Sequence, residues 1–120
     1  MFKLWGKKAV STGYVSPPPK LLGFRKSNRF QADLALACST PRLAADTKNI
    51  WRLLEILRTR QQIPREFRPH PMKGDWAGWW DCHVGNDLVL VWRYKDEQSN
   101  GEKMQVIELA ALGTHAYLQI

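Results

Sequence analysis

No apolar run in the chain approaches the roughly 18 residues that a membrane-spanning helix needs, so no membrane role is expected. Cysteine is scarce: Cys38 and Cys82 are the only two. Small secreted domains build denser disulfide frameworks, so this usage fits a reduced, cytoplasmic protein, with both thiols read as small buried hydrophobes. There is no glycine-rich phosphate loop, no Ser-His-Asp arrangement and no internal repeat. Acid is missing altogether from residues 1–30, which hold Lys3, Lys7, Lys8, Lys20, Arg25, Lys26 and Arg29. The first 16 residues also lack a long apolar core, which argues against a secretory signal.

What is present is the composition of a globular domain. The 120 residues are 44% hydrophobic and 24% charged, enough for one modest core. The net charge is +7, and all of the excess lies in the basic first quarter. A second basic zone holds Arg58, Arg60, Arg65, Arg68 and Lys73 against Glu66 alone. Both zones would attract a phosphate backbone, and those five side chains are candidate RNA or phosphate contacts.

Residues 1–20 end in Ser16-Pro17-Pro18-Pro19-Lys20, which favours an extended segment without backbone donors. They are expected to form a flexible basic arm ahead of a domain spanning 21–120. Within that domain a short strand is expected over Leu21–Arg25. Ser27 or Asn28 then caps a helix through about Cys38, with Phe30, Leu34 and Ala37 inward and Gln31 and Asp33 outward. Pro41 restarts a second helix over about Arg42–Arg60, where Leu43, Ile50, Leu53, Leu54 and Leu57 form an apolar stripe. After Pro64 the pattern turns to strands: Trp76–Val84, Leu88–Tyr94 and Met104–Ala111. A polar loop, Asp96–Lys103, joins the last two. The order β-α-α-β-β-β predicts an α+β domain, a two-helix hairpin packed on a small, mainly antiparallel sheet.

The chemistry concentrates between Pro69 and Val91. His70 lies between two prolines, in what reads as a rigid loop. His83 ends a strand, and Asp87 begins the next beyond Gly85-Asn86. His115 follows the last strand at Gly113-Thr114. Imidazoles titrate near neutrality, and a carboxylate can orient or tune them. Such groups in a basic setting can cleave RNA through its own 2′-hydroxyl. One removes the 2′ proton, another protonates the departing 5′ oxygen, and cations stabilise the phosphorane; no metal or other cofactor is required. Packing is the simpler role for Trp76, Trp79 and Trp80. A structural zinc site from Cys82, His83, His70 and His115 is disfavoured, because adjacent Cys-His lacks the usual ligand spacing.

Three spaced segments carry a resemblance. Ile63–Gly74 with His70-Pro71-Met72-Lys73-Gly74, Asp81-Cys82-His83-Val84 followed by Asp87, and Gly113-Thr114-His115 together resemble the YafQ-type toxins of the RelE/ParE superfamily, from about Phe24 to Leu118. The resemblance implies a RelE-like fold and a type II toxin that cleaves mRNA on the ribosome, held inactive by a cognate antitoxin. It places the catalytic set on His70, His83, Asp87 and His115. His115 would be the general acid, His70 and Asp87 base or hydrogen-bond partner, and His83 a phosphate or transition-state contact. The chain departs from the family at Ala111 (commonly arginine), Leu88 (often tryptophan), Gln119 (phenylalanine) and Pro69 (aspartate). Loss of the arginine would cost on the order of 10²-fold in rate if nothing replaces it. A degenerate module that docks antitoxin or RNA without cutting is therefore the alternative, and a ParE-like gyrase inhibitor a more distant one.

Overall fold

The computed structural model describes residues 21–120; the expected basic arm, 1–20, lies outside them. Five strands form one sheet in the order β1-β5-β4-β3-β2. The strands are β1 (Gly23–Lys26), β2 (His70–Pro71), β3 (Trp80–His83), β4 (Val89–Ser99) and β5 (Glu102–Gly113). β1 runs parallel to β5, and every other pair is antiparallel. The expected α+β architecture is present, with helices α1 (Asn28–Ser39), α2 (Pro41–Ala44), α3 (Lys48–Arg58) and α4 (His115–Leu118).

Ser27 starts α1 as a true N-cap, its hydroxyl accepting from the Phe30 N–H at 2.9 Å. The same hydroxyl donates to the Ala110 carbonyl at 2.9 Å. That carbonyl belongs to a bulge in β5, where the register with β4 slips between Val91 and Trp92. One serine thus fastens the start of α1 to the irregular point of β5.

Alternation divides the sheet into two unequal faces. On β4, Leu90 and Trp92 point toward the helices and join Phe30, Ile50, Leu53, Leu57, Ile107 and Leu109 in the main core. Val89 and Val91 point the other way, into a small cluster with Ala111 and Leu118, flanked by Met72, Trp76 and Trp79. The candidate site side chains His70, His83 and His115 gather on that thinner face.

Several expectations need correction. The helix expected over Arg42–Arg60 breaks at residues 45–47, where the Thr47 hydroxyl bonds back to the Ala44 carbonyl at 2.6 Å and competes with helical pairing. The loop expected over Asp96–Lys103 is strand almost throughout. The turn shrinks to Asn100-Gly101, both at positive φ (52° and 80°), as a two-residue hairpin turn requires. Of the strand expected over Trp76–Val84, only Trp80–His83 forms, because Gly74–Trp76 winds into a 3-10 turn and Gly78 takes φ 94°. His70 belongs to a two-residue strand rather than a loop. Cys82 is buried but Cys38 is exposed. Asp33, expected outside, is buried: it accepts from the Leu112 N–H at 2.9 Å and the Tyr117 hydroxyl at 2.7 Å.

Candidate active site

Strand register assembles the site. His70 pairs with Asp81, Asp81 with Val91, and Val91 with Ala111, so these four stand in one row across the sheet. Residues directly opposite in a sheet share a face, and this row faces away from the helices. His83 pairs with Val89, and Val89 with Gly113, which forms the neighbouring row. Thr114 follows Gly113 and caps α4, its hydroxyl accepting from the Tyr117 N–H at 3.1 Å, and so delivers His115 to the same place. The rings of His83 and His115 come to 5.0 Å between centroids.

Position 82 follows from the same alternation. Cys82 lies on the helix face, where it accepts from the Trp92 indole N–H at 3.2 Å, and burial pushes its thiol up to about 12. A thiol so placed cannot join the three imidazoles as a metal ligand.

Two imidazole–carboxylate pairs result. Asp87 Oδ1 accepts from the His115 backbone N–H at 3.2 Å and lies 3.0 Å from its Nδ1. With the Nδ1 proton directed at the carboxylate, Nε2 is left for a substrate. The hydrogen bond from the His115 side chain, then that from its backbone, holds Asp87 below the ordinary carboxylate range. His70 Nδ1 lies 2.6 Å from Asp81 Oδ1, but the contact is off-line, and that oxygen accepts no well-formed hydrogen bond among the described residues. Burial raises the Asp81 carboxyl, against the attraction of His70, His83 and His115. His83 is held below the usual imidazole value, first by burial and then by the charge of His115.

The structure places the basic candidates unevenly. Lys73 lines a groove of about 830 Å3 together with His70, Asp81 and His115. Arg68, in a left-handed backbone conformation, shares an adjoining hollow with His83. Arg65 is exposed at the start of the 3-10 turn Arg65–Phe67. Arg58 pairs with Glu55 at 3.0 Å beside Trp51, and Arg60 sits by Leu21 and Lys103; neither lines the histidine groove. Asp81 was visible in the sequence as part of the Asp81-Cys82-His83 segment but carried no role. Its position two residues before His83 on a strand is the signal that places both on one face.

The tryptophans pack as expected, with qualification. Trp80 is exposed but stacks on its strand neighbour Trp92 at 6.3 Å, while Trp76 and Trp79 meet edge to face at 6.0 Å. Trp76 also forms a wall of the groove.

The family model for YafQ, a bacterial toxin of type II toxin–antitoxin systems, matches residues 22–120. The chain belongs to the YafQ toxin family. A Haemophilus influenzae protein named as a YafQ toxin is 35% identical over 69 residues, covering 57% of this chain and 67% of that one. The mRNA interferase toxin YafQ of Escherichia coli K12 is 26% identical over 92 residues, covering 77% and 89%. The Escherichia coli DinJ–YafQ complex structure contains a chain that superposes with a TM-score of 0.60 at 26% identity, covering 81% of this chain and 97% of that one. The RelE-like fold expected from the motifs is therefore the fold present, and the Escherichia coli YafQ relatives carry an mRNA interferase name. Among the described residues no helix is long and apolar enough to cross a membrane.

Proposed function

We propose that this YafQ-family chain is a ribosome-dependent endoribonuclease that cleaves mRNA without a metal, using His70, His83, His115 and Asp87. The observation that carries this reading is the convergence of three imidazoles and two carboxylates on one sheet face beside a groove lined by basic residues. A base takes the 2′-hydroxyl proton, and the 2′ oxygen attacks phosphorus. The 5′ oxygen then leaves, taking a proton from the acid, so the products are a 2′,3′-cyclic phosphate and a 5′-hydroxyl. His115 is the acid: Asp87 holds its ring through Nδ1, which leaves Nε2 for the departing oxygen. His70, backed by Asp81, is the base. Burial and the charge of His115 favour the neutral form of His83, so it would meet the transition state as a hydrogen-bond partner rather than as a charged phosphate contact.

The partner that restrains it is a cognate antitoxin. The Escherichia coli relative is seen in a DinJ–YafQ toxin–antitoxin complex, which supports that assignment. In the cell such a toxin works in the cytoplasm, where its translated message is.

The test is incubation of the purified chain with mRNA, either on translating ribosomes or free, and mapping of the new ends. The expected result is cyclic-phosphate and 5′-hydroxyl ends on ribosome-bound message only. Equal cleavage of free RNA would remove ribosome dependence. Binding without cleavage would turn the chain into the docking module that Ala111, Leu88 and Gln119 raise as the alternative.

A further inference from the structure

We propose that Arg29 is a phosphate-binding residue of the histidine groove, a role that rests on the endoribonuclease reading above. Position 111 brings no charge to the site: Ala111 is fully buried in the row His70–Asp81–Val91–Ala111. Arg29, in the first turn of α1, also lines the groove. Ser27 is fastened to the Ala110 carbonyl, so the first turn of α1 is set down beside that uncharged stretch of β5.

The guanidinium of Arg29 lies 5.9 Å from the ring centres of both Trp76 and Tyr117, and its Nε faces Asp33 Oδ2 at 3.5 Å. Asp33 is already satisfied by the Leu112 N–H and the Tyr117 hydroxyl. Among the described residues the Arg29 guanidinium makes no well-formed hydrogen bond, and the side chain is 48% exposed. Two aromatic rings and one carboxylate therefore hold the guanidinium in place while its remaining N–H groups meet no partner among the described residues. A planar fork of donors suits two phosphate oxygens at once, which a lysine cannot match.

Lys73, His70 and His115 line the same groove, with Asp75 and Asp81 as its carboxylates. The groove's volume falls within the range of small-ligand sites. Trp76 is both a wall of the groove and one of the rings beside Arg29. A nucleotide stacked on that indole would thus bring its phosphate within reach of the guanidinium. RNA bound here would be gripped by phosphate from the α1 side while the imidazoles act from the β2–β3 side.

The experiment compares the wild type with Arg29→Gln, Arg29→Lys and, as a control outside the groove, Lys103→Gln. Binding of a 2′-deoxy oligonucleotide, which cannot be cut, is followed from 50 to 200 mM salt, and single-turnover cleavage of ribosome-bound message is measured beside it. Removal of one phosphate contact should flatten the slope of log K against log salt by about 0.7 for a single strand. Arg29→Gln should show that change and a fall in cleavage on the order of 10- to 100-fold. Arg29→Lys should keep the slope but only part of the rate, and Lys103→Gln should match wild type.

An unchanged salt slope in Arg29→Gln would overturn the proposal, even if melting temperature fell, since a merely structural arginine lowers stability without touching the slope. That result alongside a wild type that still cleaves, and a His115→Ala variant that does not, would leave the endoribonuclease reading standing. A wild type that never cleaves would remove that reading, and the salt slope alone would then decide the role of Arg29.

Discussion

The two imidazole–carboxylate pairs of this fold are built in opposite ways. His115 and Asp87 are both about half exposed, at 42% and 45%, and are joined through a ring nitrogen and a backbone N–H together. His70 is 57% exposed while Asp81 is 5% exposed, and one close but off-line contact joins them. Water solvates the first carboxylate, and His115 holds it ionised. The second has lost its water, and burial opposes its charge. Thr114 further fixes His115 by capping α4, whereas His70 rides a two-residue strand. On the proposed roles, the acid would be the rigidly oriented group and the base the one free to adjust to the 2′-hydroxyl.

The comparison can be broken by substitution. His115→Ala should have the largest effect, a loss of about 10²- to 10⁴-fold in cleavage of ribosome-bound message, with little change in melting temperature. Asp87→Asn comes next, at about 10- to 100-fold, because the imidazole loses the partner that orients it. The same variant should change acid stability. The folded-state pKa of Asp87 lies below its unfolded value, so the carboxylate adds stability that is present above about pH 4 and is lost as pH falls through the folded value. Asp87→Asn should therefore flatten that part of the denaturation profile, measured by chemical unfolding between pH 7 and 3.

Asp81→Asn should cost less activity than Asp87→Asn, about tenfold or under. It should leave stability level or slightly higher, since the buried oxygen has no well-formed partner to lose. A larger loss from Asp81→Asn than from Asp87→Asn would reverse the assignment of rigid and adjustable pairs. The smallest effect is spectroscopic. The His83 ring should titrate below the ordinary value near 6.5, and lower still in Asp81→Asn, because the Asp81 charge is one of the influences that raise it. Proton NMR of the imidazole resonances measures both shifts.

Much of this architecture was legible because it depends on local signals. Ser27 announces the start of α1, the leucine and isoleucine stripe announces α3, and Asn100-Gly101 announces the turn. The polar run 96–103 misled because polarity resembles loop. In the structure β4 and β5 run on past the core as a two-stranded ribbon with both faces wet, where Lys103 and Asp96 pair at 3.5 Å. Asp33 sits at helical spacing with Phe30 and Ala37, but a lone acid reads as surface. Its partners, Leu112 and Tyr117, lie at the far end of the chain and only the fold brings them near.

The site divides in the same manner. His70, His83, Asp87 and His115 stood in recognisable segments, and the structure brings their elements to one sheet face. The pairing of Asp81 with His70 required the β2–β3 register, which a two-residue strand does not advertise. Arg29 required the fold to set the first turn of α1 beside residues far from it in sequence, His70, Lys73 and His115. The basic zone after α3, continuous in sequence, scatters over separate surfaces once Arg58 and Arg60 end the helix and begin the following turn.

The claim that His115, held by Asp87, protonates the departing 5′ oxygen is open to one direct measurement. A message carrying sulfur in place of the 5′ oxygen at the cut site has a leaving group that needs no proton. Single-turnover cleavage of that message on ribosomes by His115→Ala should return to near the wild-type rate, while His70→Ala stays slow. Equal failure of His115→Ala on the oxygen and sulfur messages would contradict the account and place the acid elsewhere.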